Sequence, residues 1–134
     1  MLYLAVGTGG ILGALLRYYL GVSVHAWWAL PFPLATLVTN FIGCFVLGWF
    51  TTRVARLGWF PAWIRLGFGT GVVGSFTTFS TFSVETFELI RQGLWGTALL
   101  YVLLSLWGGL FLAWAGCRIA QLPLKKNERE WQTP

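Results

Sequence analysis

Gly74-Ser75-Phe76-Thr77-Thr78-Phe79-Ser80-Thr81-Phe82-Ser83 is the stretch on which the reading of this chain turns. Its ten residues carry six hydroxyls, three phenylalanines, one glycine and no charge. It lies inside a run that otherwise reads as membrane-embedded. In hydrocarbon, backbone outside a regular helix must be satisfied within protein or beside a wet path. A hydroxyl-rich, break-prone stretch at that depth is therefore a candidate site.

Working outward, the whole chain has the composition of a membrane protein. Of its 134 residues, 57% are hydrophobic and 10% charged, with a mean hydropathy of +0.71. A soluble domain carries about 25% charged residues. The pattern predicts an all-α membrane protein with four spans, at about 2–21, 34–52, 62–91 and 97–120, forming one domain over 1–120. A polar tail follows over 121–134. The start of the chain lacks the positive region of a secretory signal and reads as a retained first span. The net charge of +5 comes from span ends and tail, so it is an orientation signal rather than a nucleic-acid one. One side receives Arg53, Arg56, Arg65, Arg118, Lys125, Lys126 and Arg129, the other Arg17 and Arg91. That bias predicts both termini in the cytoplasm. Cys44 and Cys117 fall in apolar segments and read as free buried thiols. His25 stands alone between two spans and reads as an ordinary loop or interface residue, and no His/Cys cluster suggests a metal centre of the zinc type.

Each span carries one polar or small-residue face. In the first, Gly9 and Gly13 are four apart, a spacing that lets helix backbones approach closely. Arg17 continues that face, either snorkelling to the interface or holding an anion at an aqueous mouth. In the second, Thr36, Asn40 and Gly43 share a face, and Asn40 is either helix–helix glue or a donor on a wet path. The third span is about 30 residues long, and a continuous helix of that length would run about 45 Å, more than the hydrocarbon core needs. Gly67, Gly69, Gly71 and Gly74 followed by Thr77 and Thr78 favour a break, expected at 74–78. A break leaves carbonyls on one side and N–H groups on the other. Beyond it Phe79, Phe82 and Glu85 follow at intervals of three. The two rings are either packing or a pair of electropositive edges flanking a small anion. In the fourth span Tyr101, Ser105 and Gly108 align, either bonding between helices or extending a polar track. Four helices give few walls for a pathway, so a two-fold dimer is the expectation.

These motifs resemble the Fluc/CrcB fluoride channels. The resemblance spans about 9–109 and rests on Gly9-Gly10-x-x-Gly13-Ala14-x-x-Arg17-Tyr18, on Thr36-Leu37-x-x-Asn40-x-x-Gly43, and above all on Gly74-x-Phe76-Thr77-Thr78-Phe79-Ser80-Thr81-Phe82-Ser83-x-Glu85. Ser75 stands where that family's motif usually has a second glycine, and Gly109 where a serine is frequent. The resemblance implies an antiparallel, dual-pore dimer with a structural Na+ at its centre, held by the main-chain carbonyls of Gly74 and Thr77. It implies that Phe79 and Phe82 are the phenylalanine-box positions and Asn40 the pore amide. Tyr101 and Ser105 match the fourth-helix track, Arg17 the vestibule arginine, Glu85 the motif acid, and Ser80 and Thr81 neighbouring hydroxyls.

The expected function is passive, fluoride-selective conduction out of a bacterial cell through its inner membrane, with fluoride and lipid as partners and no nucleic acid. The strong charge bias makes a heterodimer with a related chain of opposite topology an alternative to the homodimer. A small proton-coupled multidrug-type transporter would want a carboxylate deep in the membrane, and the first, second and fourth spans have no acid. A transport-inert scaffold would not need three matched polar faces. No Ser/His/Asp or metal cluster supports an enzyme.

Overall fold

The computed structural model describes residues 1–57 and 59–122. The expected polar tail, beyond Leu122, lies outside the described residues. Among those described, every regular element is helical. Helix α1 spans Leu2–His25, α2 Leu34–Leu57 and α3 Ala62–Leu66; a wide-turned π-helix at Gly67–Val73 leads into one turn, α4, at Gly74–Phe76; α5 runs Phe79–Arg91 and α6 Trp95–Gln121. Helices α1, α2 and α6 are each long and apolar enough to cross a membrane. Their outer faces expose Leu12, Leu16, Leu100, Leu104 and Trp107, the surface that lipid covers. The helices continue past the apolar windows, and α1 ends on His25 itself, so this residue belongs to a helix end and not to a loop.

The segment 62–91 is discontinuous, as its length and composition suggest, but the interruption is narrower than expected. Gly74–Phe76 remains helical, and only Thr77 (ψ 156°) and Thr78 (φ −148°, ψ 119°) are extended. The glycines before it do not break the helix. Away from water, each backbone group keeps an internal partner, so Gly67–Val73 winds more loosely instead of opening.

Small residues set how closely the helices approach. A Cβ at Gly9 would overlap the Gly67 carbonyl oxygen, and one at Gly71 would lie 2.8 Å from the Val6 carbonyl oxygen. The Gly9/Gly13 face of α1 thus lies on the glycine-rich π-helix. Helices α2 and α6 meet similarly: a Cβ at Gly48 would strike the Ala113 carbonyl, and one at Gly116 would lie 2.9 Å from the Trp49 nitrogen. Arg53 Nη1 donates to the Ala120 carbonyl at 3.1 Å, and Arg56 to that of Gln121. The second pair thereby closes with cations on the orphan carbonyls of a helix C-terminus. An apolar cluster of Leu37, Leu89, Ala98 and Tyr101, flanked by Phe32, Phe41 and Phe82, locks α5 between α2 and α6.

Neighbouring glycines of α1 therefore respond oppositely to a methyl group. Gly9→Ala should lower stability to denaturant in detergent micelles by about 1–3 kcal/mol, the cost of forcing tight backbones apart. Gly10, with nothing within 4 Å of its added Cβ, should tolerate alanine or gain about 0.5–1 kcal/mol. Equal responses would refute this packing.

Candidate functional site

The site grows from the two extended residues. Their backbone leaves the helical pattern inside the protein, and the Asn40 side chain takes it up. Thr78 N–H donates to Asn40 Oδ1 at 2.9 Å, and Asn40 Nδ2 donates to the Thr78 carbonyl at 3.1 Å. One amide side chain thus pairs with both backbone groups of one residue, as a neighbouring strand would, and the Thr78 N–H fixes which way the amide points. Thr78 also starts the next helix: its Oγ1 accepts from Thr81 N–H at 3.1 Å and donates to Thr81 Oγ1 at 3.0 Å, an N-cap. Ser80 Oγ lies 3.2 Å from the same hydroxyl.

These bonds have a consequence on the other side of the break. In an unbroken helix, Thr78 N–H would serve the Gly74 carbonyl and Thr81 N–H the Thr77 carbonyl. Asn40 Oδ1 and Thr78 Oγ1 take those donors instead. The carbonyls of Gly74 and Thr77 are thereby released as oxygen acceptors.

The face of α2 identified by spacing meets the third segment at three levels. Thr36 Oγ1 donates to Glu85 Oε1 at 2.8 Å, Asn40 pairs with Thr78, and Gly43 leaves room for the Thr77 methyl. Glu85 receives a second hydroxyl, Tyr101 OH to Oε2 at 2.8 Å. Tyr101 is wholly buried, and its ring stands against Phe32 at 5.6 Å and Phe82 at 5.1 Å between centroids.

Two cavities adjoin this framework. The first, about 500 Å³, is lined by Asn40, Cys44, Gly74, Thr77, Thr78, Phe79, Phe82 and Ser105. The rings of Phe79 and Phe82 are 5.7 Å apart at 36°. Phe82 is half-buried, while Phe79 is 80% exposed, so its outer face has no cover in a single chain. Ser105 Oγ is buried with no hydrogen-bond partner among the described residues, an arrangement that costs free energy unless something polar visits. The second cavity, about 320 Å³, is lined by Arg17, Thr36, Thr39, Thr78, Thr81 and Glu85, with His25 at its edge. Thr78 borders both cavities.

The residues singled out from sequence are therefore distributed. Asn40, Phe79, Phe82 and Ser105 share the first cavity, and Arg17, Thr81 and Glu85 the second. Ser80 is exposed beside the cap. Tyr101 bonds between helices to Glu85, one of the two readings of its face, while Ser105 lines the first cavity. The residue that sequence reasoning misses as a site member is Thr78, the node of the site. The signal is present, since a threonine followed three residues on by a bonded Thr81, just after an extended residue, has the spacing of an N-cap.

Together these features define an all-helical membrane protein built around a discontinuous helix, with polar groups gathered at the discontinuity. Residues 4–117 match the family described as CrcB-like protein, Camphor Resistance (CrcB), and the chain belongs to that family. It is 52% identical over 130 residues to a Bacillus cereus protein named "Fluoride-specific ion channel FluC 1", covering 97% of this chain and 95% of the relative. It is 50% identical over 127 residues to "Fluoride-specific ion channel FluC 2" of Geobacillus kaustophilus, covering 95% and 98%. A Moorella thermoacetica protein named "Fluoride-specific ion channel FluC 1" is 46% identical over 128 residues, covering 95% and 91%.

The Asn40–Thr78 pairing makes a prediction independent of transport. Asn40→Ala strands a buried N–H and a buried carbonyl, which should lower stability in detergent by about 2–4 kcal/mol. It should also speed hydrogen exchange at Thr78 above that of α6. Unchanged exchange at Thr78 would rule out the clamp.

Proposed function

We propose that this chain is a passive, fluoride-selective channel and not an enzyme, and that it carries fluoride out of the cytoplasm through the inner membrane. Relatives about half identical over nearly their whole length bear the name of such a channel. The observation that carries the reading in this chain is the buried, unpartnered Ser105 hydroxyl, in one cavity with Asn40 and the phenylalanine pair. One Nδ2 hydrogen of Asn40 is used by Thr78, and its second remains to donate. Fluoride is small and strongly hydrated, so a path for it must replace water with close N–H and O–H donors. Ring edges add a weaker positive field. A narrow wall of this kind favours the smallest halide. Export follows from chemistry: fluoride enters as neutral HF, dissociates inside, and an open path lets the anion leave down its gradient.

The architecture proposed is four spans, the broken segment 62–91 being the third of them in chain order, with two copies arranged antiparallel to give two pores. The exposed face of Phe79 supports a second chain as the missing wall. The released Gly74 and Thr77 carbonyls fit a structural Na+, since a hard cation takes oxygen ligands. Two carbonyls are too few alone, and a second copy would supply the same pair. In that site the cation would tie the two breaks together; Asn40 and Thr78 keep the carbonyls free for it. The charge bias towards one side, with relatives numbered FluC 1 and FluC 2, supports pairing with a related chain of opposite topology as the second form of this assembly.

Proteoliposomes loaded with potassium fluoride and opened with valinomycin test the function. Fluoride efflux should far exceed chloride efflux, and equal or absent efflux of both refutes selectivity. Phe82→Ile should cut fluoride flux roughly ten-fold, a barrier change of about 1.4 kcal/mol, while the protein still elutes as the native assembly. Rapid flux from this purified chain alone would decide for the homodimer, and its restoration only by a related chain for the heterodimer.

A further inference from the structure

His25 is the one imidazole in the chain, and none of the sequence motifs gives it a role. The structure puts it, exposed, in the lining shared by two cavities. Beyond the cavity that holds Arg17, Thr81 and Glu85 lies another, about 210 Å³, which opens between Trp28, Phe32, Glu88 and Gln92. Three residues line both: His25, Ala35 and Glu85. Ala35 is buried and apolar. The lining that the two cavities share, here called the neck, thus carries one imidazole and one carboxylate.

The charges around this neck are countable. Helix α5 presents Glu85 and Glu88, and α1 presents Arg17 and the Tyr18 side chain in the inner cavity. Helix α2 contributes Ala35 and Thr36, and α6 contributes the Tyr101 hydroxyl, already given to Glu85. An anion moving through this mouth meets two acids before it meets Arg17. His25 is the group that can offset them. Its Nδ1 lies 2.7 Å from the Gly21 carbonyl oxygen. A carbonyl only accepts, so Nδ1 carries the hydrogen and Nε2 is the atom that gains or loses a proton. Protonation therefore adds a charge without disturbing the bond that anchors the ring.

We propose that His25 is a conductance-setting residue of the fluoride path: its protonated imidazole offsets Glu85 and Glu88 at the outer neck and raises fluoride entry. The inference rests on the channel reading and adds to it a route, from the mouth at Glu88 through the His25–Glu85 neck to the cavity at Thr78. Histidine changes charge between about pH 5 and 8. A positive charge at this position speeds fluoride entry, and its loss slows it. Glu85 and Glu88 would give a change of the same sign if they titrated, so the histidine must be varied directly.

The test is fluoride efflux from proteoliposomes at equal internal and external pH, at about pH 5.5 and about pH 8, with the HF leak of protein-free liposomes subtracted. The native chain should conduct roughly three-fold faster at the lower pH, the scale of one partly screened charge. His25→Gln should conduct alike at both, at the native rate for the higher pH. His25→Lys should be fast at both, a rescue that a merely structural histidine would not show. Persistence of the pH dependence in His25→Gln, a flat native profile, or a lysine variant no faster than glutamine would each overturn the assignment. No protein-dependent fluoride efflux from the native chain at either pH would instead refute the channel reading itself.

Discussion

The structure depends on one amide side chain pairing with the N–H and the carbonyl of one residue. A helix interrupted inside an apolar protein has several backbone groups with nowhere to go, and each costs about 1–3 kcal/mol if left alone. Asn40 removes two of those costs at Thr78, and the Thr78 hydroxyl removes a third at Thr81. The break then becomes a stable shape with two defined sides. On one side are carbonyls whose donors have been taken. On the other is a short helix that starts with a proper cap and directs Phe79, Phe82 and Glu85 towards the site.

This arrangement explains why α2 carries its polar residues on one face. Thr36, Asn40 and Gly43 address Glu85, Thr78 and Thr77 in turn. The first holds a carboxylate, the second holds a backbone, and the third makes space. Glu85, given two hydroxyl donors at 2.8 Å, is held in one orientation by groups on two different helices. In a low-dielectric surrounding such a network is strong when satisfied and costly when broken, so α2, α5 and α6 are fixed relative to one another at this level. The loose glycine-rich winding ahead of the break is held differently, by the close approach of α1.

Much of this is legible in the sequence, and what is not has a physical reason. A 3.6-residue period shows which residues share a helix face, so the Thr36/Asn40/Gly43 and Gly9/Gly13 faces can be read directly. It does not show what lies opposite. Spacing alone leaves Asn40 between glue and pathway donor because a single amide can do both, and here one of its hydrogens is committed while the other is not. Composition makes the break too broad because it weighs glycine by its cost in water, where a helix has a solvated alternative. In apolar surroundings there is none, and 67–76 stays wound. Spacing leaves Tyr101 and Ser105 between bonding across helices and extending a polar track. Side-chain length separates them, for the tyrosine reaches across to Glu85 while the serine stops at the cavity wall. His25 falls outside the expected span because the apolar pattern ends before the helix does.

The same break links the proposed pore to the proposed assembly. Gly74 and Thr77 line the cavity that also contains Phe79 and Ser105, so the break and the exposed ring border one space. A partner that covered Phe79 would also bring its own carbonyl pair towards the first. A cation shared between the two pairs would then hold in place the rings that line the path. Conversely, without Asn40 the Gly74 carbonyl could recapture Thr78 N–H, the helix would tend to straighten, and both the cation ligands and the direction of Phe79 would change together. On the proposed reading, closing a pore and pairing would not be separate properties of the sequence; both would follow from keeping two residues extended.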